Sequence, residues 1–328
     1  MSARETQPQP AELRGIDVAV RPLREPDLPA ADHIMRLAFG TFLGLPEPTS
    51  FMGDAGYVRT RWNADPTAAF GGEVGGELVG SNFATQWGSV AFFGPLTVHP
   101  DHWERQIASR LMEPNLACFK RWGAAHTGLF TFPHSPKHIH LYQKFGFWPR
   151  FLTPIMAKPV AQPGGERSWS LYSEVPPSDQ AACLSACREL TDAIYAGLDV
   201  QGEIRAVAAQ GLGDTVLLWE NSTLVGLAVC HCGAGTEAGS GVCYVKFGAV
   251  RPGPAAPQTF DQLLDACEGL AAAWGLARLS AGVNTARHEA YRQMLARGFR
   301  TEFMGVAMQH GNEPGYNRPE VYLIDDWR

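Results

Sequence analysis

The sequence contains no uninterrupted apolar run of about 18 residues, the length needed to cross a membrane, so no spanning segment is expected. Positive charge is not in excess either. There are 27 Lys and Arg against 33 Asp and Glu, a formal net charge of −6. A nucleic-acid surface normally needs a basic face, so no nucleic-acid partner is expected. The opening Met1–Pro10 is polar and rich in proline, with no apolar core for a signal peptide, and a cytoplasmic location is expected. Cysteine is sparse and odd in number. The thiols at 118, 183, 187, 230, 232, 243 and 267 do not read as a disulfide framework. Cys230-His231-Cys232 looks like a metal fragment, but it lies in an apolar run from Leu224, and no second ligand pair follows at zinc spacing. Buried thiols and no metal are the expectation.

Apolar residues make up 45% of the chain and charged residues 18%, enough to build cores and too apolar for disorder. A length of 328 residues suits two domains better than one. The first 160 residues carry a net charge of +1 and the rest −7, so an anionic ligand meets less repulsion in the first half. Pro154–Arg167 (PIMAKPVAQPGGER) reads as a linker, and Gly233–Gly241 (GAGTEAGSG) as a flexible loop. The expected division is a disordered segment 1–15, a domain 16–157, a linker 158–167, a domain 168–310 and a tail 311–328. Asp325 and Asp326 in that tail are expected to cap or pair rather than catalyse.

The two regions repeat one order of elements: strand, helix, hairpin, strand, helix, strand, helix. In the first, Ile16–Leu23 alternates like a strand, and a helix follows over Asp27–Ala38. A hairpin turns at Gly75-Gly76. A strand over Ser89–Val98 then leads to a helix over Ile107–Gly123, a strand at Gly128–Phe132 and a short helix ending at Gly146. In the second, a hairpin turns at Asn221-Ser222. A strand at Val242–Val250, a helix at Thr259–Trp274, a strand at Arg278–Val283 and a helix from Thr285 to Gly298 follow. The pattern predicts an α+β fold made of a duplicated unit, each copy a mixed, mostly antiparallel sheet flanked by helices.

Leu141-Tyr-Gln-Lys-Phe-Gly-Phe147, preceded by Ser135-Pro136-Lys137, resembles the last helix and turn of the GNAT N-acetyltransferase superfamily. Val98-His-Pro-Asp101 followed by a helix resembles that family's coenzyme A pyrophosphate loop. The likeness covers about 16–157 well and about 168–310 more faintly, as in a tandem GNAT protein. It implies acetyl or other acyl transfer from acyl-CoA to a small-molecule or peptide amine, with no metal. The family pattern before the helix is Arg or Gln, two residues, Gly, one residue, then Gly or Ala. Here those positions hold Trp103, Gln106 and Ala108, and only Ala108 fits. Gln106 limits backbone approach to phosphate, Glu104 adds negative charge, and Arg105 can offset it.

Several features bear on chemistry. Gly94-Pro95 interrupts an apolar strand, and proline cannot donate to a ladder, so a bulge or splay is expected there. Backbone N–H groups freed at Leu96, Thr97 and Val98 would hold a pantetheine arm and polarise a thioester carbonyl. The helix start over Trp103, Glu104, Arg105, Gln106, Ile107, Ala108 and Ser109 is the expected diphosphate cradle. Ser135-Pro136 is a good helix start, with Gly146 as its stop, and Ser135 and Lys137 are expected to face the cofactor. Tyr142 lies four residues after His138 on one helix face. By the resemblance Tyr142 protonates the departing thiolate, a task a phenol suits because it stays protonated at neutral pH. His134 and His138 are the candidate bases. Glu73 and Glu77 sit on the preceding hairpin, and His99, His102, His126 and His140 have less claim. Phe39, Phe42, Phe51, Trp62 and Trp87 suit either an acceptor pocket or a core.

The second region lacks this chemistry. Met294 stands where Tyr142 would align, and Arg251–Thr259 carries three prolines in place of N–H donors. It is expected to support the fold or wall the pocket. An alternative reading is a non-catalytic acyl-CoA or small-ligand binding protein. A tandem enzyme drawing on aminoacyl-tRNA is disfavoured by the acidic balance. A homodimer is left open.

Overall fold

The computed structural model describes residues 17–161 and 167–328. The expected disordered segment 1–15 and most of the expected linker lie outside the described residues. In the first half the elements are β1 (Ala19–Pro22), α1 (Leu28–Phe42), α2 (Tyr57–Ala64), β2 (Ala69–Val74), β3 (Glu77–Trp87) and β4 (Val90–Phe93). They continue with β5 (Thr97–Val98), α3 (Ile107–Trp122), β6 (His126–Thr131), α4 (Pro136–Gln143) and β7 (Phe147–Pro159). The second half has β8 (Ser170–Leu171), α5 (Gln180–Ile194), α6 (Gln201–Gln210), β9 (Gly213–Glu220), β10 (Thr223–Cys232) and β11 (Val242–Val250). It closes with α7 (Ala256–Ala273), β12 (Arg278–Gly282), α8 (His288–Ala296), β13 (Arg300–His310) and β14 (Leu323–Ile324). The fold is α+β with a mixed, mostly antiparallel sheet, as the sequence predicts.

Local chemistry explains many of these boundaries. Gly75 and Gly76 have φ of 60° and 87°, and Asn221 and Ser222 have 47° and 65°. Both two-residue turns therefore join antiparallel strands through left-handed positions, at β2–β3 and β9–β10. α3 ends at Gly123 (φ 63°) and α6 at Gly211 (φ 64°), each donating back to carbonyls of the last turn. α4 starts at Ser135, whose hydroxyl accepts the His138 N–H at 3.4 Å, with Pro136 in the first turn.

One sheet runs through both halves in the order β1-β2-β3-β4-β6-β13-β7-β12-β11-β10-β9-β8. The last strand of each half lies beside the other half. β13 pairs with β6 from Val306↔Thr131 to Gln309↔Gly128, and β7 pairs with β12 from Ile155↔Gly282 to Pro159↔Arg278. Between them β7 and β13 form an antiparallel ladder from Phe147↔His310 to Ala157↔Arg300. Pro154–Pro159, expected as part of a linker, is thus strand in the middle of the sheet. Pro159 is tolerated because it lies beyond the last residue that β13 pairs, where no ladder donor is required.

The cores follow this interleaving. One cluster joins Trp87, Val90 and Phe92 of the first half to Leu184, Leu190 and Ile204 of α5 and α6. These two helices add to the elements read from sequence. The helical spacing of buried Cys183, Leu184, Cys187, Leu190, Thr191 and Ile194 was a legible signal for the first of them. Another cluster packs α7 and α8 on β9–β12 and includes Met294 at 0% exposure. A third packs α3 and α4 on β4 and β6, and takes Val306 and Met308 from β13. All seven cysteines are buried and unpaired; Cys230 and Cys232 lie in β10. Among the described residues, no helix is long and apolar enough to cross a membrane.

The Gly233–Gly241 stretch, expected as a flexible loop, is docked on the first half. Gly56 N–H donates to Thr236 O at 2.8 Å, Gly235 N–H donates to Asp54 O at 3.1 Å, and Ser240 donates to the Asp54 carboxylate. The glycines supply left-handed positions at 233, 235, 239 and 241, and the loop closes around a fully buried Glu237. Glycine content here marks a tight path rather than freedom.

Candidate active site

β4 runs parallel to β6 as far as Phe93↔Leu129, and there the chain breaks at Gly94-Pro95. Beyond it β5 pairs only with β3, through Ser81↔Thr97 and Gly80↔Val98. The two strands therefore part, as the interrupted run predicts. His99 N–H donates to Val79 O at 2.8 Å, so ladder bonds alternate and Val98, opposite Gly80, turns its N–H and C=O away from β3. Trp103 Nε1 donates to that outward Val98 carbonyl at 2.7 Å. Thr97 turns the other way and belongs to the β3 ladder.

The parted strands open into a cavity of about 280 Å3. α1, the segment after it and the start of α2 supply Phe39, Phe51 and Tyr57; the break supplies Gly94, Pro95 and Leu96; β6 and α4 supply Thr131, His138 and Tyr142. The second half supplies Phe303 of β13, with Trp327 and Arg328 of the tail. Strand exchange is what brings Phe303 there. Gly305 leaves room on β13 for the Phe130 ring, since a Cβ there would lie 2.0 Å from its Cζ. Phe303 in turn meets Phe132 edge-on at 5.4 Å.

Tyr142 is 7% exposed and packs on Phe93 at 5.8 Å between ring centroids. Burial pushes its phenol up to about 12, with a smaller opposing pull from the Thr131 side chain. The hydroxyl thus keeps its proton at neutral pH. His138, also on the cavity wall, packs on Phe42 at 4.8 Å and Phe132 at 5.8 Å. Burial, then the nearby His134 and Lys137, hold its imidazole below the usual histidine range, so it is neutral and able to accept a proton. His134 also stacks on Phe42, at 5.8 Å, but is exposed and does not line the cavity.

At the helix start the expected cradle is half formed. α3 begins at Ile107, and the first-turn N–H groups of Ile107, Ala108 and Ser109 point out of the helix end. Gln106 precedes it at φ 62° and Glu104 stands at φ 64°, both left-handed positions where glycine would be unstrained. The exposed Glu104 carboxylate pairs with Lys137 of α4, which holds Glu104 below the usual carboxylate range and bridges the loop to the Tyr142 helix. Trp103 and Arg105 are exposed beside them, and Ser135 is spent on capping α4. The residues fit a thioester carrier at the parted strands and a diphosphate at the α3 start, with less backbone access than glycine would allow.

The remaining sequence candidates sit elsewhere. Glu73 pairs with Arg21 at the sheet edge, Glu77 is exposed at the hairpin, and His99 caps its own turn by accepting from Asp101 N–H at 3.3 Å. His126 is buried against Trp327 at 5.7 Å, and burial lowers it to about 4. Of the five aromatic candidates Phe39 and Phe51 line the cavity. Phe42 clamps the two histidines, Trp62 packs in a core, and Trp87 is fully buried.

One part of the site had no signal in the sequence. Arg61, 4% exposed, donates through Nη1 to Gly94 O at 2.6 Å, and through Nε and Nη2 to Glu237 at 2.9 and 3.0 Å. Its Nη2 also reaches Arg328 O. Lys246 of β11 bridges Glu237 at 3.0 Å and Glu203 of α6 at 2.9 Å, and Trp87 Nε1 donates to Glu203 at 3.3 Å. Burial pushes Glu203 up, and Lys246 and His231 together more than reverse it, leaving the carboxyl at about 2. Charges from four separate elements thus hold the carbonyl at the strand break. Asp325 and Asp326 of the tail pair with Arg287 at 2.6 Å and Arg328 at 3.2 Å, as expected of packed carboxylates.

Residues 34–147 match the acetyltransferase (GNAT) family. The match spans about a third of the chain, and what it shows is a likeness to the GNAT family over that stretch. Solved structures share this GNAT fold over nearly the whole length. A candidate acetyltransferase from Pyrococcus horikoshii superposes with a TM-score of 0.66 at 13% identity, covering 99% of each chain. A GCN5-related N-acetyltransferase from Sphaerobacter thermophilus gives 0.59 at 16% identity, covering 91% of this chain and 96% of that one. A GCN5-related glucosamine N-acetyltransferase region of a fungal multi-domain GH3 β-N-acetylglucosaminidase gives 0.62 at 10% identity, covering 90% and 38%. No curated protein matches the chain in sequence. The matched GNAT residues contain the cavity wall from Met35 to Tyr142, whereas Ile155, Phe303, Trp327 and Arg328 lie beyond them.

Gly80 offers a direct test of the strand break. A Cβ there would lie 2.5 Å from Thr97 O, a backbone atom that cannot swing aside. Gly80→Ala is expected to push β5 off β3 and displace Val98. At roughly a hundredfold for an ångström of misplacement, kcat/KM for the acyl donor should fall about 100-fold, read by steady-state kinetics. A loss below threefold would remove the role given to β5.

Proposed function

We propose that the chain is an acyl-CoA-dependent N-acyltransferase, with acetyl-CoA as the favoured donor, transferring directly to a small-molecule or peptide amine in its N-terminal half. The observation that carries this reading is the protonated, buried Tyr142 phenol on the wall of a cavity that opens at the parted strands. Bound there, acyl-CoA supplies the activated acyl group. The outward Val98 N–H and its neighbour Leu96 offer donors to the carbonyl oxygen, and the α3 start faces the diphosphate. His138 takes the proton from the attacking amine, and Tyr142 gives one to the leaving sulfur. Phe93, Phe132 and Phe303 exclude water from the transfer. The second half contributes walls and the charges behind Gly94 rather than a second centre, in keeping with Met294 in its core. Seven free thiols suit a reducing cytoplasm.

Thiol release on mixing acetyl-CoA with a panel of amines tests this directly. Turnover should stay level up to pH 10, because the Tyr142 proton is lost only near pH 12 rather than at the ordinary tyrosine value. The acid limb should lie below the ordinary histidine range, because His138 is held down. Coenzyme A binding with no turnover on any amine would favour the non-catalytic reading, which the strained Glu104 and Gln106 loop also supports.

A further inference from the structure

The cavity that opens at the strand break has an unusual polarity for an amine site. Its walls are apolar from α1, β6 and β13 alike, with Phe39, Phe51, Phe130, Phe132 and Phe303 among them. Among the described residues no carboxylate side chain lines it, and the main-chain oxygen of Arg328 is already held by Arg61. The charged side chain on its wall is Arg328, and the Arg61 guanidinium lies behind Gly94. Glu237, the nearest partner of that guanidinium, is fully buried and already shared between Arg61 and Lys246, and Asp326 is engaged by Arg328 and by Tyr244 at 3.0 Å. An alkylammonium entering this space would be desolvated with no free side-chain counter-ion and with cations of its own sign nearby. A charge buried without a partner is strongly disfavoured. The acceptor must therefore arrive uncharged.

We infer that the acceptor is an aromatic amine, its nitrogen attached directly to an aryl ring. This rests on the acyltransferase reading and narrows it. An aryl nitrogen is neutral at neutral pH because its lone pair is delocalised into the ring. It needs no carboxylate to hold an ammonium and no strong base to unload one. It loses a proton only as the new N–C bond forms, and a neutral imidazole such as His138 suffices to take it while the C–S bond breaks and Tyr142 protonates the sulfur. The wall rings Phe39 and Phe303, tilted and edge-on at 5.9 and 5.4 Å from Phe132, offer faces and edges to a flat ring. A volume of about 280 Å3 is at the small end for ligand pockets, which suits one ring beside an acyl group.

The experiment compares acetyl transfer to 4-methylaniline, phenethylamine, spermidine, glucosamine and lysine at pH 7.5, with coenzyme A binding measured by calorimetry on the same preparation. The expected result is kcat/KM for 4-methylaniline about 100-fold above the alkyl, polyamine and sugar amines, of the order that an unmatched polar group costs in a specific pocket. Phe303→Leu should lower kcat/KM for 4-methylaniline about tenfold and leave the coenzyme A Kd unchanged, as expected for a lost ring contact in an apolar pocket. Phe303→Asp, if it folds, should narrow or reverse the preference towards phenethylamine. Faster transfer to an alkylammonium than to the aryl amine, or coenzyme A binding with no aryl transfer, overturns the inference and leaves the acyl-CoA site standing. Absence of coenzyme A binding overturns the acyltransferase reading and this inference with it.

Discussion

Tyr142→Phe should cut kcat by about 10²- to 10⁴-fold, the range for loss of a positioned proton donor, while leaving the coenzyme A Kd within about twofold. The substitution removes one oxygen and no packing atom. The ring sits in a cluster with Phe93, Phe119 and Phe147, and its contacts there are made by carbon. Stability should therefore change by less than about 1.5 kcal/mol, the net worth of a typical hydrogen bond. A merely structural tyrosine would show the opposite pattern, with stability lost and kcat kept. Single-turnover kinetics with acetyl-CoA separate the two, because thiolate protonation belongs to the chemical step and not to binding. The pH profile adds an independent check. Burial raises the phenol to about 12, so its contribution is constant across the neutral range and the mutant's profile should keep the acid limb of the parent.

Glu237→Ala is expected to have the largest effect on stability. It leaves the Arg61 guanidinium and the Lys246 ammonium, 4% and 8% exposed, without the anion they share. Breaking a buried ion pair by removing one partner costs about 3–5 kcal/mol, chiefly through the stranded charge. A urea titration should show the midpoint fall accordingly. Glu237→Gln, which keeps a carbonyl acceptor of the same shape, should cost less. The sign with pH follows from the depressed carboxyl. Its proton is bound more weakly in the folded than in the unfolded chain, so its stabilisation is present above the ordinary carboxyl range and is lost as acid protonates the folded form. Function should respond too. Arg61 holds Gly94 O at 2.6 Å, so freeing it loosens the strand break and raises KM for the acyl donor more than it lowers kcat. An unchanged urea midpoint would show that Lys246 and Arg61 find other partners.

How much of this was legible follows the range of the interactions. The turns at Gly75-Gly76 and Asn221-Ser222, the start of α4 at Ser135-Pro136 and the break at Gly94-Pro95 are set by backbone chemistry within two to four residues, and all appear where expected. Tyr142 and His138 are four apart on one helix, so their shared face was readable, and both line the cavity. His134 was harder to judge. It sits on the correct strand end, but whether a loop residue turns inward depends on Phe42, which comes from a helix 92 positions away and takes its face. Glu237 was hidden by its glycines, which signal a turn and say nothing of the Arg61 that waits across the sheet.

The sequence alone determined the alternation of strands and helices and the placing of Tyr142 and His138 on one helix face, because each depends on periodicity and on local backbone preference. The pairing of β13 with β6 and of β7 with β12 was decided only in three dimensions. Strands about 120 to 180 residues apart have no local rule to join them, and their choice is made by which apolar faces meet. That choice carried Phe303, Trp327 and Arg328 into a cavity whose Tyr142 comes from the other half, and it is why the acceptor's character can be argued from the folded chain and not from the letters.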